Sequence, residues 1–282
     1  MSDRGLVVSS PMMIQGNTLL VKNSNLDRQE LRLSLLFWDR LAWPASRIVY
    51  LGSGPDEQFL EDAGILSRPR VGGPISGDMA QCMAREHLSA FRTLEENEPG
   101  IWALAQGERS FLLKEGQLEE GRSLLVELHR AIPVPDKDVP LADILEFRSK
   151  RRDELLRLRA EIDTFYDATA KAADGGFELQ RCVNQIELAC ADLFRASKEG
   201  RNPFRLADLK MSYELRLGSV VKDAAFGAAI GQTYNMPTLG ALVGGGLGFL
   251  KVTRDLGIKG KHGRSPYWYV YNFHRDVFNE PG

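Results

Sequence analysis

Between Leu141 and Ala172, ten positions recur at alternating spacings of three and four: Leu141, Ile144, Arg148, Arg151, Leu155, Leu158, Ile162, Phe165, Thr169 and Ala172. A heptad stripe of this kind brings every member to one side of a helix and would scatter them in a strand. The preceding PVPDKDVP stops any helix arriving from upstream. Asp174, Gly175 and Gly176 form a turn, and a second stripe follows at Leu179, Val183, Ile186, Cys190 and Leu193. The pattern predicts a helical hairpin, a coiled coil, over 141–200. Its first arm runs unbroken from Leu141 to about Ala173, roughly 50 Å at ~1.5 Å per residue.

Upstream the periodicity is different. Short β-like runs (GLVVS, TLLVK, RIVYLG, IWALAQ, SFLLK and SLLVELH) alternate with two helical patterns and turn residues. The first helix is expected over LDRQELRLSLLFWDRLAWP, opened near Asn25 and Asp27 and stopped by Pro44; the second spans about Gly77 to Glu96. Residues 1–140 therefore read as an α/β domain with a small sheet. The chain as a whole reads as α+β.

The tail, 201–282, has a third character. No charged residue occurs from Ala224 to Leu250, a run interrupted by Pro237, and Lys251, Arg254, Lys259, Lys261 and Arg264 follow it. From Arg201 onward there are 11 Lys or Arg against 6 Asp or Glu, whereas the first 200 residues carry 25 against 32. Inside the run, Gly240, Gly244 and Gly248 fall one turn apart, as do Gly227 and Gly231. Glycine in a helix costs on the order of 1 kcal/mol relative to alanine, so such a face needs a reason. In lipid the reason is close helix packing, which small residues four apart permit. Lys251 and the aromatic Tyr267, Trp268 and Tyr269 fit a membrane interface beside a segment at 224–250. Each half of the run has only 13 residues, and a glycine-packed helix pair inside a soluble core accounts for the same pattern.

Arg148 and Arg151 stand on the heptad seam where a dry core favours leucine. They either pair with Glu146, Asp153 or Glu154, or, with several hairpins side by side, line a cavity for an anion or oligonucleotide. Lys259, Lys261 and Arg264 form a second basic cluster, and its aromatic neighbours also suit single-stranded nucleic acid.

Catalytic signatures are missing from the sequence. LGSGPDEQFL resembles the start of a phosphate loop, but it has neither a third glycine nor GKS or GKT. Asp56 and Glu57 repel phosphate at that helix end, so a strand-to-helix turn with Pro55 in the first helical position is expected. His87, His129, His262 and His274 lack metal-ligand spacing. The odd number of cysteines, Cys82, Cys182 and Cys190, reads as buried thiols in a reducing compartment. No catalytic residue, metal or cofactor is expected. The opening MSDRGLVVSS lacks a secretory pattern, which suggests a cytoplasmic or inner-membrane-associated protein.

The order of regions, a soluble domain, a helical stalk and a glycine-rich apolar segment, resembles the membrane effectors of bacterial anti-phage defence systems. LRLSLLFWDRL and VPDKDVPLADILEFRSKRRDEL are also similar to segments of uncharacterised bacterial proteins. The resemblance implies a non-enzymatic effector that forms homo-oligomers, meets membrane lipid and permeabilises it as a channel or pore, gated by a nucleotide or oligonucleotide signal and the protein that makes it. A soluble oligomeric scaffold is the alternative, and a single-stranded nucleic-acid-binding module the third reading.

Overall fold

Asp27 sets the first helix. Its carboxylate accepts the backbone N–H groups of Gln29 and Glu30 at 3.0 and 2.9 Å, satisfying two of the donors that a helix start leaves open. Helix α1, Arg28–Phe37, follows. The computed structural model describes residues 3–15, 18–46, 52–70, 79–105, 111–112, 122–132, 134, 138–198 and 265–278. They divide into two compact units: Met1–Arg130 with Asp136–Ser149, and Ala131–Pro135 with Lys150–Gly282.

The first unit is built on a parallel sheet of four strands, β1 (Gly5–Val7), β4 (Arg40–Ala42), β5 (Leu66–Ser67) and β6 (Trp102–Leu104), in the order β5-β4-β1-β6. Leu6 pairs with Leu41 on one side and Ala103 on the other, and Leu41 pairs with Leu66. All four of these residues are buried, as expected of a parallel sheet covered on both faces. Helix α3, Met79–Asn97, supplies part of that cover, with Leu88 and Phe91 packed against Val7, Ala42, Trp102 and Leu104. At Gly5 the backbone passes so close to the Trp102 ring that a β-carbon would lie 2.4 Å from it. A second sheet has the order β3-β2-β7, from Met12–Gln15 (β2), Thr18–Val21 (β3) and Phe111–Leu112 (β7).

The first helical pattern is shorter than its sequence suggests. Helix α1 ends at Phe37, Trp38 is extended, and Arg40–Ala42 form β4 rather than continuing to Pro44. Arg4 fixes this change of direction: its carbonyl accepts the N–H groups of Asp39 and Arg40, and its own N–H donates to the Asp39 carboxylate at 2.9 Å. Burial beside β1 outweighs helix periodicity here. SLLVELH is corrected the other way, because Arg122–Arg130 form helix α4. Leu125, Leu128 and His129 are buried at three-and-four spacing, a helical rather than an alternating pattern. The glycine turn behaves as expected, with Pro55 opening helix α2, Pro55–Asp62.

The long first arm is two helices. Helix α5, Leu141–Lys150, stops, and Arg151, with φ −110° and ψ 23°, precedes helix α6, Arg152–Lys171. Helix α5 belongs with the first unit, and Arg148 ties it there through hydrogen bonds to the Leu35 and Trp38 carbonyls at the end of α1. In the second unit α6 packs against α7, Gly175–Lys198, and both contact the closing helix α8, Trp268–Asp276. Asp174 accepts the Phe177 N–H at 3.0 Å and starts α7. The seam between α6 and α7 buries Leu155, Leu158, Ile162 and Thr169 with Cys182, Ile186, Cys190 and Leu193.

Candidate functional site

The sheet winds outward from β1 through β4 to β5 and then places β6 on the opposite flank of β1. Open parallel sheets bind ligands outside the carboxyl ends of their strands at such a reversal, because the connections there diverge. At this edge lie Ser9 and Ser10 after β1, Trp43 and Ser46 after β4, Ser67 and Arg68 at and after β5, and Ala105 after β6. The Ser10 hydroxyl donates to the Ser24 carbonyl at 3.1 Å, and the Ser46 hydroxyl to the Met83 sulfur at 3.1 Å. Arg68 lies 3.8 Å over the Trp43 ring, donates from Nε to the Trp43 carbonyl at 3.1 Å and from Nη1 to the Ser53 hydroxyl at 2.9 Å. Beneath it the Trp43 indole N–H is buried without an acceptor.

Two helix starts near this edge are already occupied by the chain's own carboxylates. Asp27 holds the first turn of α1. Glu57, itself buried, accepts the N–H of Gly54 and of Leu26 at 2.9 Å each. That carboxylate takes the place a phosphate would need at the start of α2. The polar groups of this edge are held within the chain: Ser9, Ser10 and Trp43 are buried, and Arg68 is bonded to the Trp43 carbonyl and the Ser53 hydroxyl.

The histidines and thiols of the described residues are oriented for structure. His87 Nδ1 lies 3.0 Å from the Met83 carbonyl and His129 Nδ1 2.7 Å from the Leu125 carbonyl, each one turn back on its own helix. Burial holds the His87 pKa below the usual imidazole range, with the Met83 bond and Glu86 opposing it less strongly. All three cysteines are buried thiols outside any disulfide. Burial pushes the Cys182 and Cys190 thiols up, away from the thiolate that a nucleophile needs. Among the described residues no group of three or more His, Cys, Asp or Glu is placed to hold a metal.

The sequence-derived site residues are dispersed. Arg148 is committed to the end of α1. Arg151 pairs with Glu154 at 2.9 Å, one of the acids the sequence offered it, and with Asp276 of α8 at 3.1 Å, which the sequence did not suggest. Tyr267 and Tyr269, expected at a membrane interface, instead face the core of the second unit, at 4% and 0% exposure. Consecutive residues Tyr269 to His274 are buried, so α8 is enclosed around its circumference, and burial pushes the Tyr267 hydroxyl pKa up. Trp268 is half-buried and stacks on Tyr271, with ring centroids 4.8 Å apart. Gly227, Gly231, Gly240, Gly244, Gly248, Lys251, Lys259, Lys261 and Arg264 lie outside the described residues. None of the described helices is long and apolar enough to cross a membrane.

Sequence reasoning missed the carboxyl edge of the sheet. A signal for it exists in GLVVSSP, RLAWP and ILSRP, where a proline follows the end of the strand by two to four residues.

No curated protein matches this chain, and no solved structure does. One family model matches residues 23–277, nearly the whole length and both units. The chain therefore belongs to DUF6236, a family of unknown function.

Proposed function

We propose that the chain is a non-enzymatic, self-assembling effector whose first unit receives a small-molecule signal and whose second unit carries the response to a membrane. The winding reversal at β1 supports this reading most: it places Ser9, Ser10, Trp43 and Arg68 at the edge where parallel sheets take ligands. The helix-bound His87 and His129 of the first unit favour binding over catalysis there. A nucleotide or oligonucleotide is the proposed signal, and binding it requires Arg68 to exchange its bonds to the Trp43 carbonyl and the Ser53 hydroxyl for the ligand's phosphate. The hairpin of α6 and α7 supplies the assembly surface, with Phe177 67% and Leu188 58% exposed on α7 and three turns apart, hence on one side of it. Membrane contact is assigned to 224–250, on its lack of charge and its glycine spacing.

A soluble oligomeric scaffold is the second reading, favoured by the burial of Tyr267 and Tyr269. The same burial withdraws two of the rings that a single-stranded nucleic-acid site would stack on. Fractionation of cells followed by carbonate and detergent extraction of the pellet separates the two readings. The effector resists carbonate and yields to detergent; a protein found wholly in the supernatant is the scaffold.

A further inference from the structure

The chain passes between the two units three times: it leaves the first after Arg130, re-enters it at Asp136 and leaves it again after Ser149. Beside each passage, within the first unit, stands a residue bonded to α1. At the first, Arg130 pairs with Glu30, both side chains mostly buried. At the second, Arg28 pairs with Asp138 at 2.9 Å, and the buried Arg32 pairs with the same carboxylate and donates from Nε to the Val139 carbonyl at 3.0 Å. At the third, Arg148 donates to the carbonyls of Leu35 and Trp38. Each of these bonds has an ionised partner, which makes it of the stronger kind. Their positions run along α1 from its first residue, Arg28, to Trp38, the one just past its last.

The same helix leads to the carboxyl edge of the parallel sheet. Beyond Trp38 the chain becomes β4, and the residue after β4 is Trp43, whose carbonyl Arg68 holds at 3.1 Å. Leu31 to Phe37 are all buried, and a close-packed helix passes strain to its neighbours by shifting as a body rather than by bending. We infer that α1 carries the state of the first unit to the second: release of Arg68 from the Trp43 carbonyl acts through β4 on the end of α1, and α1 draws with it the three points at which the chain passes between units. The inference rests on the reading that the first unit receives a signal at Arg68, and it names the route by which that signal leaves.

Amide hydrogen exchange of the full-length protein, without ligand, tests it. Arg148→Gln and Asp138→Asn each cut a tether, and Arg68→Ala frees the Trp43 carbonyl. Asp138 is 59% exposed, so Asp138→Asn is the milder change and decides alone if Arg148→Gln does not fold. The control is Glu95→Ala, which removes the acceptor of the Gly100 and Trp102 N–H groups at the end of α3. The first three variants are expected to quicken exchange in α1 and, by at least about threefold, in α6 from Leu155 onward, whereas Glu95→Ala quickens it in the first unit alone. Effects of the tether variants that end at Ser149 overturn the inference. So does an equal response of α6 to Glu95→Ala, which is plain loss of stability, or an α1 that does not respond to Arg68→Ala. No nucleotide enters the measurement, so failure here counts against α1 and not against the receiving site, whose own failure shows as an absence of nucleotide binding.

Discussion

Arg148 and the Leu35 carbonyl, 113 residues apart in sequence, meet at 2.9 Å. The same guanidinium nitrogen reaches the Trp38 carbonyl, so a side chain from α5 caps the end of α1. Arg148→Leu removes both bonds and leaves the carbonyls without them, which should cost roughly 1–3 kcal/mol. Arg151 pairs at about 30% side-chain exposure, so Arg151→Leu should cost about 0–1 kcal/mol. Urea denaturation of the two single variants measures both values. A variant carrying both changes that is more stable than the wild type would show the arginines to be mere interruptions of a dry seam.

Glu57 bridges Leu26 and Gly54 through two backbone N–H groups, and it does so buried. Glu57→Ala strands both donors and should destabilise the first unit by roughly 1.5–3 kcal/mol per charged hydrogen bond lost, less whatever water restores. Hydrogen exchange is expected to quicken at Leu26 and across α2 while α6 and α7 keep their protection. Unchanged exchange at Leu26 would contradict the assigned role.

Much of this architecture can be read in the sequence, and the parts that cannot have specific physical causes. Asp27 and Pro55 mark helix starts because capping and ring geometry act locally. The seam from Leu155 to Thr169 shows because burial on one side of a helix repeats every three or four residues. The break at Arg151 does not show, because the heptad continues across it and only the tertiary ties of Arg148 and Arg151 divide the two helices. Arg40–Ala42 read as helix because three residues are too few to display alternation, and their pairing with β1 is non-local. The carboxyl edge was hidden for the same reason, since Ser9, Trp43 and Arg68 are far apart until the sheet assembles them.

His87 makes stability depend on pH. Its folded pKa is lower than the ordinary 6.5, so the unfolded chain binds the proton more readily. Stability is then fully present above pH 6.5 and is lost as the pH falls from there toward the folded value. Denaturation midpoints between pH 8 and pH 5 should fall in the wild type, and the fall should be smaller in His87→Gln. An equal fall in both proteins assigns the effect to other groups.

Gly5 is held against Trp102 with no room for a methyl group. Gly5→Ala must displace the ring or part β1 from β6 and should cost roughly 1–3 kcal/mol. Calorimetry checks it: a melt within a degree of the wild type would mean that the strand pair absorbs the methyl.

Gly244 bears on the membrane role itself. Replacing it with leucine adds four carbons to the glycine face, which should block helix packing in lipid while the two folded units stay intact. The decisive measurement is paired, the melting temperature of purified Gly244→Leu and its release of dye from phosphatidylglycerol-containing vesicles, each against wild type. The effector account predicts leakage with the wild type, lost in Gly244→Leu at an unchanged melt. It is contradicted if the wild type neither binds nor permeabilises vesicles even with its activating signal, or if Gly244→Leu lowers the melt as an overpacked soluble core would.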